Sequence, residues 1–173
     1  MARLPGDSAP TWFAYCPRCA APLETSVVGD RPRRACPACG YVHYTDPKVG
    51  VGLLVVEDDR LLLVRRAVEP AKGLWSLPAG YLDQGEDPRE TAAREALEET
   101  GLIVAVEELV DVFHNPPGGG GASIFILYRA RRVSGQLIPG DDADDAGFFP
   151  LDALPALAFP STRAMVERLG SKQ

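Results

Sequence analysis

The chain has 173 residues, 46% of them hydrophobic, which suits one ordinary globular domain with a small appendage. A net charge of −6 and an isoelectric point near 4.9 argue against a general binder of nucleic acid or of anionic membranes. No apolar run approaches the roughly 18 residues of a membrane-spanning helix. The amino-terminal stretch lacks the apolar core of a secretory signal, so we expect a cytoplasmic protein without a membrane partner.

The four cysteines all lie in the first quarter of the chain and form two Cys-x-x-Cys pairs, Cys16 with Cys19 and Cys36 with Cys39. This spacing is typical of a zinc site, because each turn presents two thiolates and a hairpin between the turns completes a tetrahedron. The absence of a βαβ pattern disfavours a redox role, and the lack of a signal peptide disfavours disulfides. We therefore expect a structural zinc ribbon over residues 12–45, in which zinc stabilises a segment too small to fold alone.

Two further features of the ribbon have alternative interpretations. His43 lies near the cysteines, but four thiolates already complete a zinc shell, so it is interpreted as an ordinary strand residue. Zinc ribbons can bind nucleic acid, yet the arginines here are sparse and no aromatic platform is evident beside them. These arginines are Arg18, Arg31, Arg33 and Arg34. Nucleic-acid binding is therefore the less favoured reading.

A larger domain is expected over residues 46–170, where apolar, β-branched stretches begin. Residues 49–56 and 60–66 read as a hairpin, because turn residues separate two apolar runs. Further along the chain we expect a strand or strand pair over 102–114, a buried strand over 123–133, a strand ending near Phe148 and Phe149, and a terminal helix over 160–170. Strands and helices in this order predict an α/β (α+β) domain with a mixed β-sheet between helices, preceded by the small β ribbon.

One helix is clearly delimited between Asp87 and Gly101. Asp87 can cap its first turn, and Gly101 can end it in the left-handed conformation. Its small and apolar side chains are expected to form a packing stripe of Ala92, Ala93, Ala96, Leu97 and Thr100. Three glutamates at i, i+3 and i+4 fall together on another face; they are Glu95, Glu98 and Glu99. Because like charges at this spacing repel, cations are expected beside them.

The surroundings of these glutamates match a known signature. Gly80, Glu86, Arg94-Glu95, Glu98-Glu99 and Gly101-Leu102 supply every fixed letter of GX5EX7REUXEEXGU, where U is a bulky apolar residue. Only Ala96, smaller than the usual aliphatic residue, departs from it. The chain from about residue 48 to 170 therefore resembles the Nudix hydrolases, whose fold it is expected to share.

The resemblance implies a catalytic site with divalent cations. The expected ligands of Mg²⁺ or Mn²⁺ are the Gly80 carbonyl and the carboxylates of Glu95, Glu98 and Glu99. Glu86 and Arg94 are expected to pair and to tie the preceding loop to the helix. Such cations polarise a phosphorus centre and activate a water. The implied reaction is hydrolysis of a nucleoside diphosphate linked to another group, which makes a small dinucleotide the expected substrate.

The choice of substrate depends on finer resemblances. A ribbon ahead of such a domain resembles the NADH pyrophosphatases, but their SQPWPF-like element is missing after the signature. Residues 46–48, 73–82 and 139–161 resemble the ADP-ribose/FAD pyrophosphatases of the plant chloroplast type. We therefore expect hydrolysis of FAD or ADP-ribose to AMP plus FMN or ribose 5-phosphate. Alternatives are an NADH pyrophosphatase, a housecleaning nucleoside triphosphate hydrolase, and a non-catalytic regulator with a nucleic-acid-binding ribbon. Many relatives form homodimers, so a homodimer is possible here.

Other candidate contacts stay open at this stage. Arg65 and Arg66 end a strand and meet either phosphate or solvent, and Trp75 either stacks on a base or packs in the core. The acidic run of Asp141, Asp142, Asp144 and Asp145 is read as a solvated loop, with a general base as the alternative. Gly118 to Gly121 are read as a flexible loop, with a phosphate cradle as the alternative.

Overall fold

The computed structural model describes residues 13–115, 122–159, 162, 163, 165 and 166. The chain divides into two compact units between Asp46 and Pro47. Among the described residues, no helix is both long and apolar enough to cross a bilayer. The tetraglycine stretch and most of the expected terminal helix lie outside the described residues, although Thr162, Arg163, Met165 and Val166 are helical.

The first unit is a three-stranded antiparallel sheet of β1 (Glu24–Val28), β2 (Arg31–Ala35) and β3 (Val42–His43). Among the described residues its core is small, with Cys16, Leu23 and Cys36 buried and Ala21 and Tyr41 packed beside them. Such a core contributes too little apolar burial to stabilise a domain without a further constraint.

The second unit contains seven described strands and one long helix. These are β4 (Val49–Glu57), β5 (Arg60–Arg66), β6 (Trp75–Ser76), β7 (Ala79–Tyr81), α1 (Pro88–Thr100), β8 (Leu102–His114), β9 (Ile124–Gly135) and β10 (Ala143–Pro150). The main strand order is β10-β5-β4-β9-β8, with β6 paired to β5 and β7 paired to β4. The β4–β9 pair is parallel and the others are antiparallel, so the sheet is mixed, as the sequence predicted.

Alternation along β5 divides the core into two clusters, because successive strand residues face opposite sides of the sheet. Leu62 lies in the cluster that includes Ala92 and Ala96 of α1, whereas Leu61 and Leu63 lie in the other. The first cluster fixes the helix against the sheet. It consists of Val51, Leu53, Val55, Leu62, Ala92, Ala96, Leu102, Tyr128 and Ala130.

Several sequence expectations are refined by the structure. Residues 102–114 form one long strand rather than a pair, and its three register shifts against β9 interrupt the simple alternation. Strand β7 is too short to produce a pattern in the sequence. The packing stripe on α1 was wrong in one member: Leu97 is 48% exposed, while Thr91, Glu95 and Glu99 are buried. The helix is therefore turned so that two glutamates point inward.

Candidate active site

The helix that carries the glutamates is held in position at both ends. The Asp87 carboxylate accepts from the Arg89 N–H at 2.8 Å, and Pro88 occupies the first turn. At the other end Gly101 has φ 69° and donates to the Leu97 carbonyl at 2.8 Å. Both ends of the helix are therefore well defined, while the packing of Ala92 and Ala96 in the first core cluster sets the side to which the glutamates point.

Arg94 joins three of the carboxylates. Its Nη1 lies 2.8 Å from Glu98 Oε2 and 3.0 Å from Glu95 Oε1, and its Nη2 lies 3.4 Å from Glu86 Oε1. Glu86 also accepts from the Asp83 N–H and the Thr91 hydroxyl, at 3.0 and 3.1 Å. The hydrogen bond from Asp83, followed by those from Thr91 and Arg94, lowers the pKa of Glu86. Glu86 is thus a charged link between loop and helix.

Two of the glutamates are buried. Glu99 is 3% exposed and accepts from the Ala79 N–H at 2.9 Å. Burial raises the pKa of Glu99 to about 9, and the neighbouring Asp142 and Glu95 add to the effect although the Ala79 N–H opposes it. Burial also raises the pKa of Glu95, against the attraction of Arg94. A buried carboxylate with a raised pKa requires a cation before it is stable as an anion.

Gly80 lies directly against this group. A β-carbon built on Gly80 would come within 3.0 Å of three atoms of the Glu95 carboxylate, closer than real Cβ atoms essentially ever approach. Gly80 belongs to β7, whose pairing with Val51 of β4 fixes its position. Glycine is therefore required here so that the backbone can approach the carboxylate.

The structure also brings in a carboxylate from another segment. Ligand atoms of Glu95, Glu98 and Asp141 all lie within 4.8 Å of one another. Asp141 has the left-handed φ of 51°. Beside it, Asp142 interacts with Glu99. Asp141 is exposed, as the solvated-loop reading expects, but the sequence did not anticipate that it lies beside Glu95 and Glu98.

Backbone hydrogen bonds explain why this loop reaches the helix. The Ile138 N–H donates to the Thr100 carbonyl at 2.9 Å, and the Gly140 N–H donates to the Glu99 carbonyl at 3.2 Å. These carbonyls end the helix and have no partner within it. The loop before β10 therefore closes the end of α1 and carries Asp141 to the glutamates.

The donor set fits a hard divalent cation. Three carboxylates from two chain segments offer oxygen ligands, which Mg²⁺ and Mn²⁺ prefer over nitrogen or sulfur. Of the expected ligands, Glu95 and Glu98 belong to this group, and Gly80 abuts it. The Glu99 carboxylate instead meets the Ala79 N–H and Asp142.

A cavity of about 260 Å³ adjoins the carboxylates. Gly80 and Asp142 form the side nearest to them, and Arg66, Phe125 and Phe159 are among the other lining residues. The cavity is slightly smaller than the roughly 300 Å³ at which most ligand pockets begin. It therefore suits one moiety of a larger substrate.

The other candidate contacts separate clearly. Arg65 pairs with Asp144 at 2.6 Å and with Asp145 at 3.6 Å, whereas Arg66 lines the cavity. Trp75 packs edge-on against Phe149, with ring centroids 4.6 Å apart, and belongs to the second core cluster. The core reading of Trp75 is thus the one that the packing supports.

The four cysteines of the first unit converge as well. Their sulfur atoms all lie within 4.8 Å of one another, with 3.6 Å between Cys16 and Cys39 and 3.5 Å between Cys19 and Cys36. A tetrahedron with zinc–sulfur bonds of about 2.3 Å has edges of about 3.8 Å, so the group fits zinc. The Ala21 N–H lowers the pKa of Cys19, but the neighbouring thiols of Cys36 and Cys39 outweigh it and raise that pKa to about 12. Four thiolates are therefore stable together only around a cation.

Comparisons with known proteins agree with both units. Residues 46–169 match the family described as NUDIX domain, and residues 14–45 match the family described as Nudix N-terminal, a zinc ribbon. An ADP-ribose pyrophosphatase from Methanocaldococcus jannaschii is 40% identical over 120 residues, which are 69% of this chain and 71% of that protein. A NAD-capped RNA hydrolase NudC from Chromobacterium violaceum is 35% identical over 84% of this chain. The chain spans about half the length of that relative, since the match covers 53% of it.

Solved structures give the same result. A NUDIX hydrolase from Nitrosomonas europaea superposes with a TM-score of 0.82 at 31% identity and covers 92% of this chain and 91% of its own. An ADP-ribose pyrophosphatase from Streptococcus suis superposes with a TM-score of 0.59 at 26% identity, over 72% of this chain and 92% of its own. The chain therefore belongs to the Nudix hydrolase family and carries the family's amino-terminal zinc ribbon.

Proposed function

We propose that this protein uses Mg²⁺, or Mn²⁺ in its place, to hydrolyse the pyrophosphate bond of ADP-ribose or FAD. The products are AMP and either ribose 5-phosphate or FMN. The observation that carries the proposal is the convergence of Glu95, Glu98 and Asp141 within 4.8 Å beside a cavity. Carboxylates gathered in this way beside a space for one moiety suit a substrate whose diphosphate meets metal and whose end enters the cavity.

The residues divide the work. Glu95, Glu98 and Asp141 would hold the cation, with Glu99 and the Gly80 carbonyl as further ligands. When bound, the cation neutralises the diphosphate and lowers the pKa of an attacking water. Arg94 holds Glu98 and Glu95 in place from the outer side, at 2.8 and 3.0 Å. Glu86 anchors Arg94 and the preceding loop.

The choice of substrate draws on similarity. The archaeal relative with 40% identity is an ADP-ribose pyrophosphatase, which favours ADP-ribose. The resemblance of residues 46–48, 73–82 and 139–161 to plant chloroplast-type enzymes favours FAD as a second substrate of the same reaction. NADH is the alternative, since several NudC proteins also match, but the SQPWPF-like element is missing here.

The test is a comparison of kcat/KM for ADP-ribose, FAD, NADH and a nucleoside triphosphate at one Mg²⁺ concentration, with product identification. One discriminating contact is worth roughly 10- to 200-fold, so we expect ADP-ribose or FAD to exceed NADH by at least about tenfold. Equal or better hydrolysis of NADH would overturn the substrate assignment. Absence of Mg²⁺-dependent hydrolysis of all four would overturn the proposed reaction and favour a non-catalytic regulator.

The remaining parts of the proposal concern organisation. We place the zinc ribbon at residues 12–45 and the hydrolase domain at 46–170, with the ribbon serving stability rather than nucleic-acid binding. The chain has a net charge of −6, which disfavours a polyanionic partner. We propose action in the cytoplasm and a homodimer. Sedimentation of the purified protein tests the oligomeric state.

A further inference from the structure

Arg66 ends strand β5 at the cavity, and its backbone is fixed on both sides. Its N–H donates to the Leu74 carbonyl at 3.0 Å, and its carbonyl accepts from the Gly73 N–H at 2.8 Å. The following Ala67 N–H donates to the Asp142 carbonyl at 2.7 Å. The last of these bonds attaches the end of β5 to the loop that supplies Asp141, and Arg66 and Asp142 line the same cavity.

The guanidinium of Arg66 is oriented as well. Its Nε donates to the Pro70 carbonyl at 2.7 Å, and its Cζ lies 5.2 Å from the centroid of the Phe159 ring. The Pro70 carbonyl therefore occupies one edge of the planar guanidinium, and the Phe159 ring covers one of its faces. Arg66 and Phe159 both line the cavity. A side chain restrained in this way loses less entropy when it binds a ligand.

The charge of Arg66 has no carboxylate partner in the described part of the chain. No ion pair within 4.0 Å and no hydrogen bond from either terminal nitrogen involves it there, whereas Arg65 and Arg94 each pair with carboxylates. Consecutive strand residues point to opposite faces, which sends Arg65 to Asp144 and Arg66 to the cavity. An oriented guanidinium without a carboxylate partner, on a cavity that Gly80 and Asp142 also line, suits an anion that extends from the glutamates into that cavity.

We propose that Arg66 is a substrate-binding residue that contacts the diphosphate, its two terminal nitrogens donating to non-bridging phosphate oxygens. This inference rests on the proposed function. It assigns to the substrate a phosphate that extends from the carboxylate group toward the cavity. It also gives a role to an arginine that pairs with no carboxylate among the described residues.

The experiment measures binding without turnover. The probe is α,β-methylene-ADP-ribose, whose P–C–P bridge is not hydrolysed, titrated calorimetrically in the presence of Mg²⁺. A charge-assisted hydrogen bond to phosphate is lost in Arg66→Ala, so we expect its Kd to rise at least about tenfold. Arg66→Lys keeps the charge but not the forked geometry, so its Kd should lie between those of the wild type and of Arg66→Ala. Arg65→Ala is the matched control and should stay within about twofold of the wild type, because Arg65 serves exposed aspartates.

Turnover of ADP-ribose by the same proteins adds a second readout. Arg66→Ala should raise KM with a smaller change in kcat, as expected for loss of binding common to substrate and transition state. If Arg66→Ala fails to fold, Arg66→Gln, which keeps neutral donors, takes its place. The same rise in Kd of at least about tenfold is then expected of it. A Kd for Arg66→Ala within about twofold of the wild type, or an equal loss in Arg65→Ala, overturns the inference. Wild-type protein that hydrolyses neither ADP-ribose nor FAD overturns the proposed function and this inference with it; normal hydrolysis with an unaffected Arg66→Ala overturns the inference alone.

Discussion

Gly80 and Glu95 lie so close together that the glycine has no room for a side chain, since any β-carbon would stand within 3.0 Å of the Glu95 carboxylate. Gly80→Ala should therefore push Glu95 away from Glu98 and Asp141. We expect a loss of Mg²⁺ affinity and a fall in hydrolysis of about 100-fold or more, because a ligand misplaced by about 1 Å is costly. Calorimetric titration with Mg²⁺ and initial rates measure both effects.

The control for this variant is Gly147→Ala in β10. The three atoms nearest to a β-carbon there all belong to the Phe149 ring, the closest at 3.1 Å, rather than to a candidate metal ligand. Its activity should remain near that of the wild type. Normal Mg²⁺ affinity in Gly80→Ala would show that the close approach to Glu95 has no role in metal binding.

Glu98→Gln tests the member of the Glu95, Glu98 and Asp141 cluster that lies on the exposed side of α1. The amide is a poor ligand for Mg²⁺, so we expect the variant to lose about 3 kcal/mol of transition-state stabilisation. The rate of hydrolysis should therefore fall roughly 100-fold. The fold should persist, because Glu98 is on the outer side of α1 and its pair with Arg94 is exposed. Glu90→Gln, in the exposed first turn of the same helix, should retain activity. Near-normal turnover and metal affinity in Glu98→Gln would remove this residue from the site.

Glu99 makes stability depend on pH when Mg²⁺ is absent. The folded protein keeps the proton of Glu99 up to about pH 9, whereas its ordinary pKa is 4.5. Between these values the unfolded chain binds fewer protons, so the free energy of unfolding falls as pH rises from about 5 to 9. Glu99→Gln cannot ionise and still accepts from Ala79, so it should unfold at a higher temperature than the wild type at pH 8 and at a similar one at pH 4.5.

Thermal unfolding in Mg²⁺-free buffer measures this difference, without a chelator that would also remove zinc. At pH 8 we expect the free energy of unfolding of Glu99→Gln to exceed that of the wild type by at least about 1 kcal/mol. A pKa shift of less than one unit is enough to produce this difference. Added Mg²⁺ should stabilise the wild type more than the variant. A wild type whose unfolding temperature does not change between pH 5 and 8 would contradict the raised pKa.

The cysteine cluster predicts about one zinc per chain by elemental analysis of protein purified without chelator. The chain has four cysteines and all belong to the cluster, so native protein should present no rapidly titrating thiol and chelator should release all four. Cys36→Ser should lose the zinc and unfold the first unit, because Cys36 is both a ligand candidate and part of its small core. Four reactive thiols in protein without zinc would rule the ribbon's metal site out.

The sequence predicted what local chemistry determines. Asp87 and Gly101 delimit the helix because caps act over one turn, and the mixed sheet follows from the order of elements. The buried face of the helix was predicted correctly at Ala92, Ala96 and Thr100, but not at its edge, where Leu97 is exposed and Glu99 is buried. Apolar content favours burial of Leu97, but contacts with β7, including the bond from the Ala79 N–H to Glu99, favour burial of Glu99.

Asp141 could not be assigned from the sequence for a different reason. It lies far along the chain from Glu95 and Glu98, and an acidic run in a loop is usually solvated. Its position depends on the two backbone bonds from Ile138 and Gly140 to the end of α1, which no residue pattern reveals. The four adjacent aspartates separate into two roles because strand β10 begins among them, with Asp144 and Asp145 directed to Arg65.

That docking of the loop on the helix end links metal binding to local opening of the backbone. A cation held by Asp141 together with Glu95 and Glu98 cross-links the loop to α1. The loop can then separate from the helix only when the cation is released and the two backbone hydrogen bonds to the end of α1 break. The Ile138 and Gly140 amide protons, which donate to Thr100 and Glu99, are then shielded from solvent exchange. Their hydrogen–deuterium exchange should slow when Mg²⁺ is added. The exchange of these two loop amides would then report whether a cation occupies the cluster of Glu95, Glu98 and Asp141.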